Sequence, residues 1–338
     1  MSNLMLIVGN GLTVDLMNCI SQSEKINTKN LFRNGDKVEW PDGSNEKGFL
    51  SYKHCRNLWN LGARPSMSDE EAQNMIEEII SCANTIPKNM LDDKSENIYV
   101  NAYFELVAYI KQLFVMYDNK ISEKELSSDG VANWGWYKLL KNAYNSDKYE
   151  NVYIITYNYD VYLERVLRAH NIPFDVVGIE NTGNKIQIIK PHGSISFCHR
   201  SVNDKDTYNI KRSSVLYEAE LKDFEVKYDG LDENYSVYAL IPPSGDSTRM
   251  LFKWAEELRT KEKEIIRNLQ EDDKIIVSGL SYWHVDRKEI DDILTSISSK
   301  ANVYMVNPNP PKVLNAVLTC IFDNYILYTS SEELGGIL

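Results

Sequence analysis

Short β-rich apolar runs alternating with amphipathic helical stretches constrain this chain more than any other feature. The first run, Leu4 to Val8, feeds directly into Gly9-Asn10-Gly11. From about residue 150 the alternation becomes regular. Val152 to Thr156 is followed by Leu163, Val166 and Leu167 at helix spacing, with Glu164 and Arg168 placed as an i,i+4 pair. Phe174 to Val177, Ile186 to Ile189 and Val237 to Ile241 read as further strands. A helix then carries Leu251, Trp254, Leu258, Ile265 and Leu269, and its charged side reads as solvated surface. Lys274 to Val277 leads to a helix with Ile290, Ile293, Leu294 and Ile297, and Val303 to Val306 is the next strand. Pro310 and Pro311 stand where a helix can begin. Such alternation predicts an α/β fold with a parallel sheet covered by helices on both faces.

Between the first strand and the regular alternation lies a stretch of about residues 22–148. It opens polar and turn-rich around Asn34-Gly35-Asp36 and Pro41-Asp42-Gly43. Met75, Ile76, Ile79, Ile80 and Ala83 then recur at helix spacing, as do Tyr103, Phe104, Val107, Leu113, Phe114 and Tyr117. This predicts a mostly helical insertion within one domain spanning 1–338. A polar, tyrosine-rich excursion occupies about residues 197–236, and its rings read as ordinary half-buried packing.

Composition removes several classes. The formal net charge of −12 disfavours direct binding to nucleic acid. No apolar run approaches the ~20 residues that span a bilayer. The N-terminus lacks the basic flank and cleavage site of a secretory leader, so the cytoplasm is expected. Cys19, Cys55, Cys82, Cys198 and Cys320 form no C-x-x-C pair, so no metal site is expected.

In parallel sheets, ligands bind at the carboxyl ends of strands. Five ends here carry glycine or polar residues: Gly9-Asn10-Gly11-Leu12-Thr13-Val14-Asp15, Tyr157-Asn158-Tyr159-Asp160, Lys190-Pro191-His192-Gly193-Ser194, Ser278-Gly279-Leu280-Ser281 and Asn307-Pro308-Asn309. Val14 replaces the third glycine of G-x-G-x-x-G, so a dehydrogenase fingerprint is absent. Each segment has a plain reading as a tight turn, a helix cap or a buried histidine. Converging at one edge, they would supply amides for a pyrophosphate, polar groups for ribose and a histidine able to move a proton.

Taken in order, Gly9-Asn10-Gly11, Thr156-Tyr157-Asn158-Tyr159-Asp160, His192-Gly193, Gly279-Leu280-Ser281 and Asn307-Pro308 resemble the sirtuin family. The similarity covers the first ~20 residues and about 150–310. Sirtuin deacetylases carry two zinc-binding cysteine pairs after the H-G segment, and here only Cys198 lies in that region. The chain looks more like the sirtuin-like NAD-degrading effectors of bacterial antiviral defence. That resemblance implies a Rossmann-like fold, no zinc module and cleavage of NAD to nicotinamide and ADP-ribose. It makes Asn158 and His192 catalytic, with Asp160 steadying them. It places Gly9, Asn10, Gly11, Thr13 and Asp15 toward the phosphates, and Gly279, Ser281 and Asn307 toward the adenosine. It also implies a homo-oligomer, or activation by a separate sensor or by an ATPase- or nuclease-type defence partner. Competing readings are a protein deacylase or ADP-ribosyltransferase, and a non-catalytic module sensing NAD or ADP-ribose.

Overall fold

The computed structural model describes residues 2–85, 97–210, 217–242, 252–282 and 284–336. The chain divides into two compact units. One comprises Met1–Ser23, Ile121–Pro191 and Glu257–Leu338, the other Glu24–Lys120 and His192–Glu256.

The first unit is built on β1 (Ser2–Val8), β2 (Tyr149–Thr156), β3 (Phe174–Val176), β4 (Ile186–Ile189), β8 (Lys274–Ser278), β9 (Asn302–Val306) and β10 (Asn324–Tyr328). These form one seven-stranded parallel sheet in the order β10-β9-β8-β1-β2-β4-β3. Leu4, Met5, Leu6, Ile7 and Val8 are all almost fully buried, so both faces of the central strand are covered. That is why β1 reads as a continuous apolar run rather than an alternating one. Met5 and Ile7 share a core with Ile155, Ile275, Val277, Val303 and Met305. Over it lie side chains from α9 (Lys253–Arg267, in this unit from Glu257 onward), α10 (His284–Leu294) and α11 (Lys312–Ile321). The unit also holds α1 (Asn10–Cys19), α5 (Glu123–Leu126), α6 (Asp129–Asn133), α7 (Gly135–Asn145) and α8 (Tyr162–Ala169). α7 packs on β2, and α6 on α1. The architecture is Rossmann-like α/β, as the strand–helix alternation predicts.

The second unit contains α2 (Arg56–Leu61), α3 (Asp69–Asn84) and α4 (Ile98–Asp118), with β5 (Gly193–His199), β6 (Phe224–Val226) and β7 (Tyr238–Leu240) as an antiparallel sheet ordered β6-β5-β7. Ser68 and Glu71 close a capping box at the start of α3, and Asn97 Oδ1 accepts from the amides of Tyr99 and Val100 to cap α4. α4 is buried along almost its whole surface. Its interior polar groups are paired accordingly: Glu105 accepts from the Leu58 amide (2.8 Å) and the Asn57 side chain (2.6 Å) at the start of α2, and the Lys111 ammonium donates to Ile195 O.

Three expectations change. The helical stretch of 22–148 is divided, with Glu24–Lys120 in the second unit and Ile121 onward in the first. Val237 to Ile241 supplies β7, which pairs antiparallel with β5 outside the parallel sheet. β5 itself lies where a tyrosine-rich excursion was expected to begin; all seven of its residues are buried, including Ser194 and Ser196, so no alternating pattern marks it. Leu251 lies outside the described residues. Among the described residues no helix is long and apolar enough to cross a membrane, and no cluster of three or more His, Cys, Asp or Glu is arranged to hold a metal ion.

Candidate functional site

β1 has β2 on one side and β8 on the other, and the chain leaves their carboxyl ends in opposite directions, from β1 toward β2 and from β8 toward β9. Such a switch point is where an open parallel sheet leaves a crevice for ligands. Two glycine turns meet here. The Gly9 amide donates to Ser278 O (3.1 Å) and the Gly11 amide to Gly279 O (3.0 Å). A Cβ on Gly11 would fall 2.4 Å from Gly279 Cα, and one on Gly279 would fall 2.6 Å from Gly11 Cα. Gly279 also has φ +64°, in the left-handed region. These glycines are there to let two backbones touch. The expected cradle of unengaged amides is therefore partly filled by protein, because Gly9 and Gly11 bond to the neighbouring turn and the Leu12 amide bonds to Gly9 O (3.0 Å). Asn10, half-buried, opens α1.

The T-x-N-x-D segment folds back onto that first turn. Asn158 Nδ2 donates to Gly9 O (3.2 Å) and to Thr13 Oγ1 (3.0 Å). A backbone carbonyl only accepts, so Gly9 fixes which end of the amide carries the nitrogen. Asn158 Oδ1 is left with no hydrogen bond among the described residues, on a side chain that is half-buried. Thr13 Oγ1 in turn donates a hydrogen bond to Asp160 Oδ2 (2.7 Å). Asp160 Oδ1 accepts from the Tyr162 amide (3.3 Å), which joins the chain to the start of α8. The carboxyl is 5% exposed. Burial pushes it up to about 6, against the lowering pull of Lys190 and of the Thr13 hydrogen bond.

Lys190 completes the network. Its ammonium donates to Asp160 O (2.6 Å) and to Glu164 Oε1 (2.6 Å), and both side chains of that ion pair are shut from solvent. Glu164, read from the sequence as an i,i+4 partner of Arg168, faces inward. A cavity of about 10 Å³ lies between Thr13, Asn158, Asp160, Glu164 and Trp134, which is about the room one water molecule needs.

The remaining sequence candidates have contacts of their own. Asp15 Oδ2 accepts from Trp134 Nε1 (2.8 Å) and Ser331 Oγ (3.0 Å), so it clamps α1 to neighbouring elements. Two residues from Thr13 on a helix, it points to a different face. Ser281 is exposed beyond the buried Leu280. Asn307 Oδ1 accepts from the Asn309 amide (2.9 Å), an Asx turn that ends β9. His192 begins the second unit; its carbonyl accepts from the Ile241 amide (2.9 Å) and it is 2% exposed. Lys190 and Glu164 carry central contacts, whereas pattern reading gave Glu164 only a pair with Arg168 and Lys190 no role of its own. Their signals were a lysine ending an apolar strand and a glutamate flanked by Leu163 and Val166.

The fold and this site define an α/β protein with a Rossmann-like sheet and a polar network at its switch point. No protein-family model matches the chain, and no curated protein matches it.

Proposed function

We propose that the chain is an NAD glycohydrolase that cleaves NAD to nicotinamide and ADP-ribose. One observation carries the reading: both amide hydrogens of Asn158 are occupied by Gly9 and Thr13, and its Oδ1 is left as an oriented acceptor at the switch point of the sheet. An acceptor held this way suits a ribose hydroxyl or an attacking water. The resemblance of Thr156-Tyr157-Asn158-Tyr159-Asp160 and His192-Gly193 to sirtuin-like NADases supports the same chemistry. In it, the bond from the ribose C1′ to the nicotinamide nitrogen breaks with its electron pair leaving on nicotinamide. Water adds to C1′, and in the role that the resemblance gives it His192 takes the proton that the water loses. Asp160 acts through Thr13, whose hydroxyl it orients, and is a positioning residue. The occupied glycine amides leave less of the phosphate recognition to the first turn than the resemblance implies.

A cytoplasmic role in antiviral defence, through NAD depletion triggered by a partner protein or by self-assembly, rests on the resemblance alone. The deciding experiment incubates the purified chain with NAD and follows nicotinamide and ADP-ribose by chromatography. Wild type is expected to form both, with His192→Ala lowered roughly 10²–10⁴-fold, the range for loss of a general base. Cleavage by Asn158→Ala at the wild-type rate overturns the assignment. NAD binding by calorimetry with no product in any condition moves the chain to the sensing reading.

A further inference from the structure

Lys190 and Glu164 form an ion pair shut from solvent, their side chains 0% and 1% exposed and their charged atoms 2.6 Å apart. Taking two charges out of water is costly, and well-packed apolar residues in place of such a pair are often as stable or more so. Ile186, Ile188 and Ile189, just before Lys190, show that apolar side chains pack readily here. Stability alone therefore gives no reason for charge at this position. The reason lies in what the ammonium holds.

Lys190 directly follows β4, and its second contact, at 2.6 Å, is to the backbone carbonyl of Asp160. It ties the Asn158–Asp160 turn to the end of a strand and, through Glu164, to the first turn of α8. That turn carries the hydrogen-bond chain of the site. Asn158 Nδ2 donates to Thr13 Oγ1 (3.0 Å), and Thr13 Oγ1 donates to Asp160 Oδ2 (2.7 Å). A hydroxyl has one proton to give, so the chain keeps this direction while the Asp160 carboxyl accepts. Its other oxygen already accepts from the Tyr162 amide (3.3 Å), so a proton on the carboxyl competes with donors already in place.

The charges acting on Asp160 come from two elements. Burial, the largest influence, pushes its carboxyl up; Lys190 after β4 pulls it down, and Glu164 of α8 pushes it up by less. α1 faces it with the Thr13 hydroxyl, while Asp15 of the same helix is engaged by Trp134 and Ser331.

We propose that Lys190 is a positioning residue of this site: anchored by Glu164, its ammonium holds the Asn158–Asp160 turn and sets the direction of the hydrogen-bond chain that leaves Asn158 Oδ1 as the acceptor. Its effect on NAD turnover rests on the NADase reading; the direction of the chain does not.

The test follows the Asn158 side-chain amide by nitrogen-15 NMR between pH 4 and 8, its signals identified by their loss in Asn158→Ala, with NAD turnover measured over the same range. In the wild type the amide should titrate together with Asp160, near pH 6. Lys190→Met should raise that midpoint and Glu164→Gln should lower it, each by roughly 1 pH unit. Lys190→Met alone leaves a buried carboxylate unpaired and should melt below wild type, whereas Lys190→Met/Glu164→Gln removes both charges and should melt near it. The double variant should still lose roughly 10²-fold in kcat, the cost of about 1 Å of misplacement, with KM little changed and its acidic limb displaced to higher pH. Wild-type amide signals that stay flat from pH 4 to 8 overturn the proposal before any variant is made. So does a double variant with wild-type kcat and an unmoved midpoint. Absence of NAD cleavage in the wild type counts instead against the NADase reading, and the amide titration then decides the role of Lys190 by itself.

Discussion

At the scale of single residues, Asp160 sets two opposite pH dependences. Its folded-state pKa lies near 6, raised by burial from about 3.8, the value of an unperturbed aspartate. A raised carboxyl contributes stability that is fully present below the unfolded value and lost as pH rises through the folded one. Two pH units correspond to roughly 3 kcal/mol, an upper bound for a buried group that also has an ion pair nearby. Thermal denaturation of Asp160→Asn against wild type from pH 4 to 7 should therefore show the variant gaining relative stability as pH rises. A constant difference across that range would remove Asp160 as the titrating group. Activity runs the other way. Ionised Asp160 accepts the Thr13 hydrogen bond and so keeps the Thr13 lone pairs turned to Asn158. Turnover of NAD should fall as pH drops through about 6, and the low activity of Asp160→Asn should lack that limb. Asp15 supplies a contrast. Asp15→Ala strands the buried Trp134 indole N–H, so a loss of about 1–3 kcal/mol in chemical denaturation is expected, with NAD turnover per folded molecule unchanged. Asn158, Asp160 and Thr13 were legible in the sequence because they stand at strand ends and in the first turn of a helix. For Asp15 the same position was less informative, since proximity along the chain to a glycine turn says nothing about which helix face a side chain takes.

Among the elements, the contact between the two glycine turns is the most exacting. Gly11 and Gly279 lack side chains because each occupies the place where the other's Cβ would stand. Gly279→Asn separates this from simple backbone strain. Asparagine tolerates the left-handed region, so strain alone predicts that Asn at 279 is better accepted than Ala. Here the obstacle is the Gly11 backbone at 2.6 Å, and both substitutions should cost about 3 kcal/mol or more by denaturant titration. Gly43→Ala, also at positive φ (+82°) but facing open space, should cost only about 1 kcal/mol. A Gly279→Asn variant as stable as wild type would show that the turns can separate. The parallel strands were legible because full burial on both faces leaves bare runs of Ile, Val and Leu, as in β1 and β8. β10 escaped notice for the converse reason. It lies at the sheet edge with Ile326 and Leu327 partly in solvent, and its composition, Asn-Tyr-Ile-Leu-Tyr, carries no alternation.

Over the whole molecule, chain order and compact units disagree. The chain passes from one unit to the other after Ser23, Lys120, Pro191 and Glu256, so neither unit is one continuous segment. Read locally, about residues 22–148 look like one helical insertion, because the periodicity of α3 and α4 is strong. Periodicity reports that a helix has an apolar face and cannot report what covers it. α4 shows the difference: its wide buried surface packs on α2 and α3 but also on β5 and β7, about 80 residues or more further on, and Lys111 donates to Ile195 O. A fragment of residues 24–120 should then keep helical content and fail to pack. Far-ultraviolet circular dichroism should show helix, near-ultraviolet signal from the aromatic residues should be weak, and melting should lack a cooperative transition, because Tyr103, Phe104 and Lys111 lose their cover. Adding residues 192–256 as a second chain should restore near-ultraviolet signal and cooperativity. If 24–120 alone melts as sharply as the full chain, the insertion is a domain in its own right, and α4 does not need the antiparallel sheet to form its core.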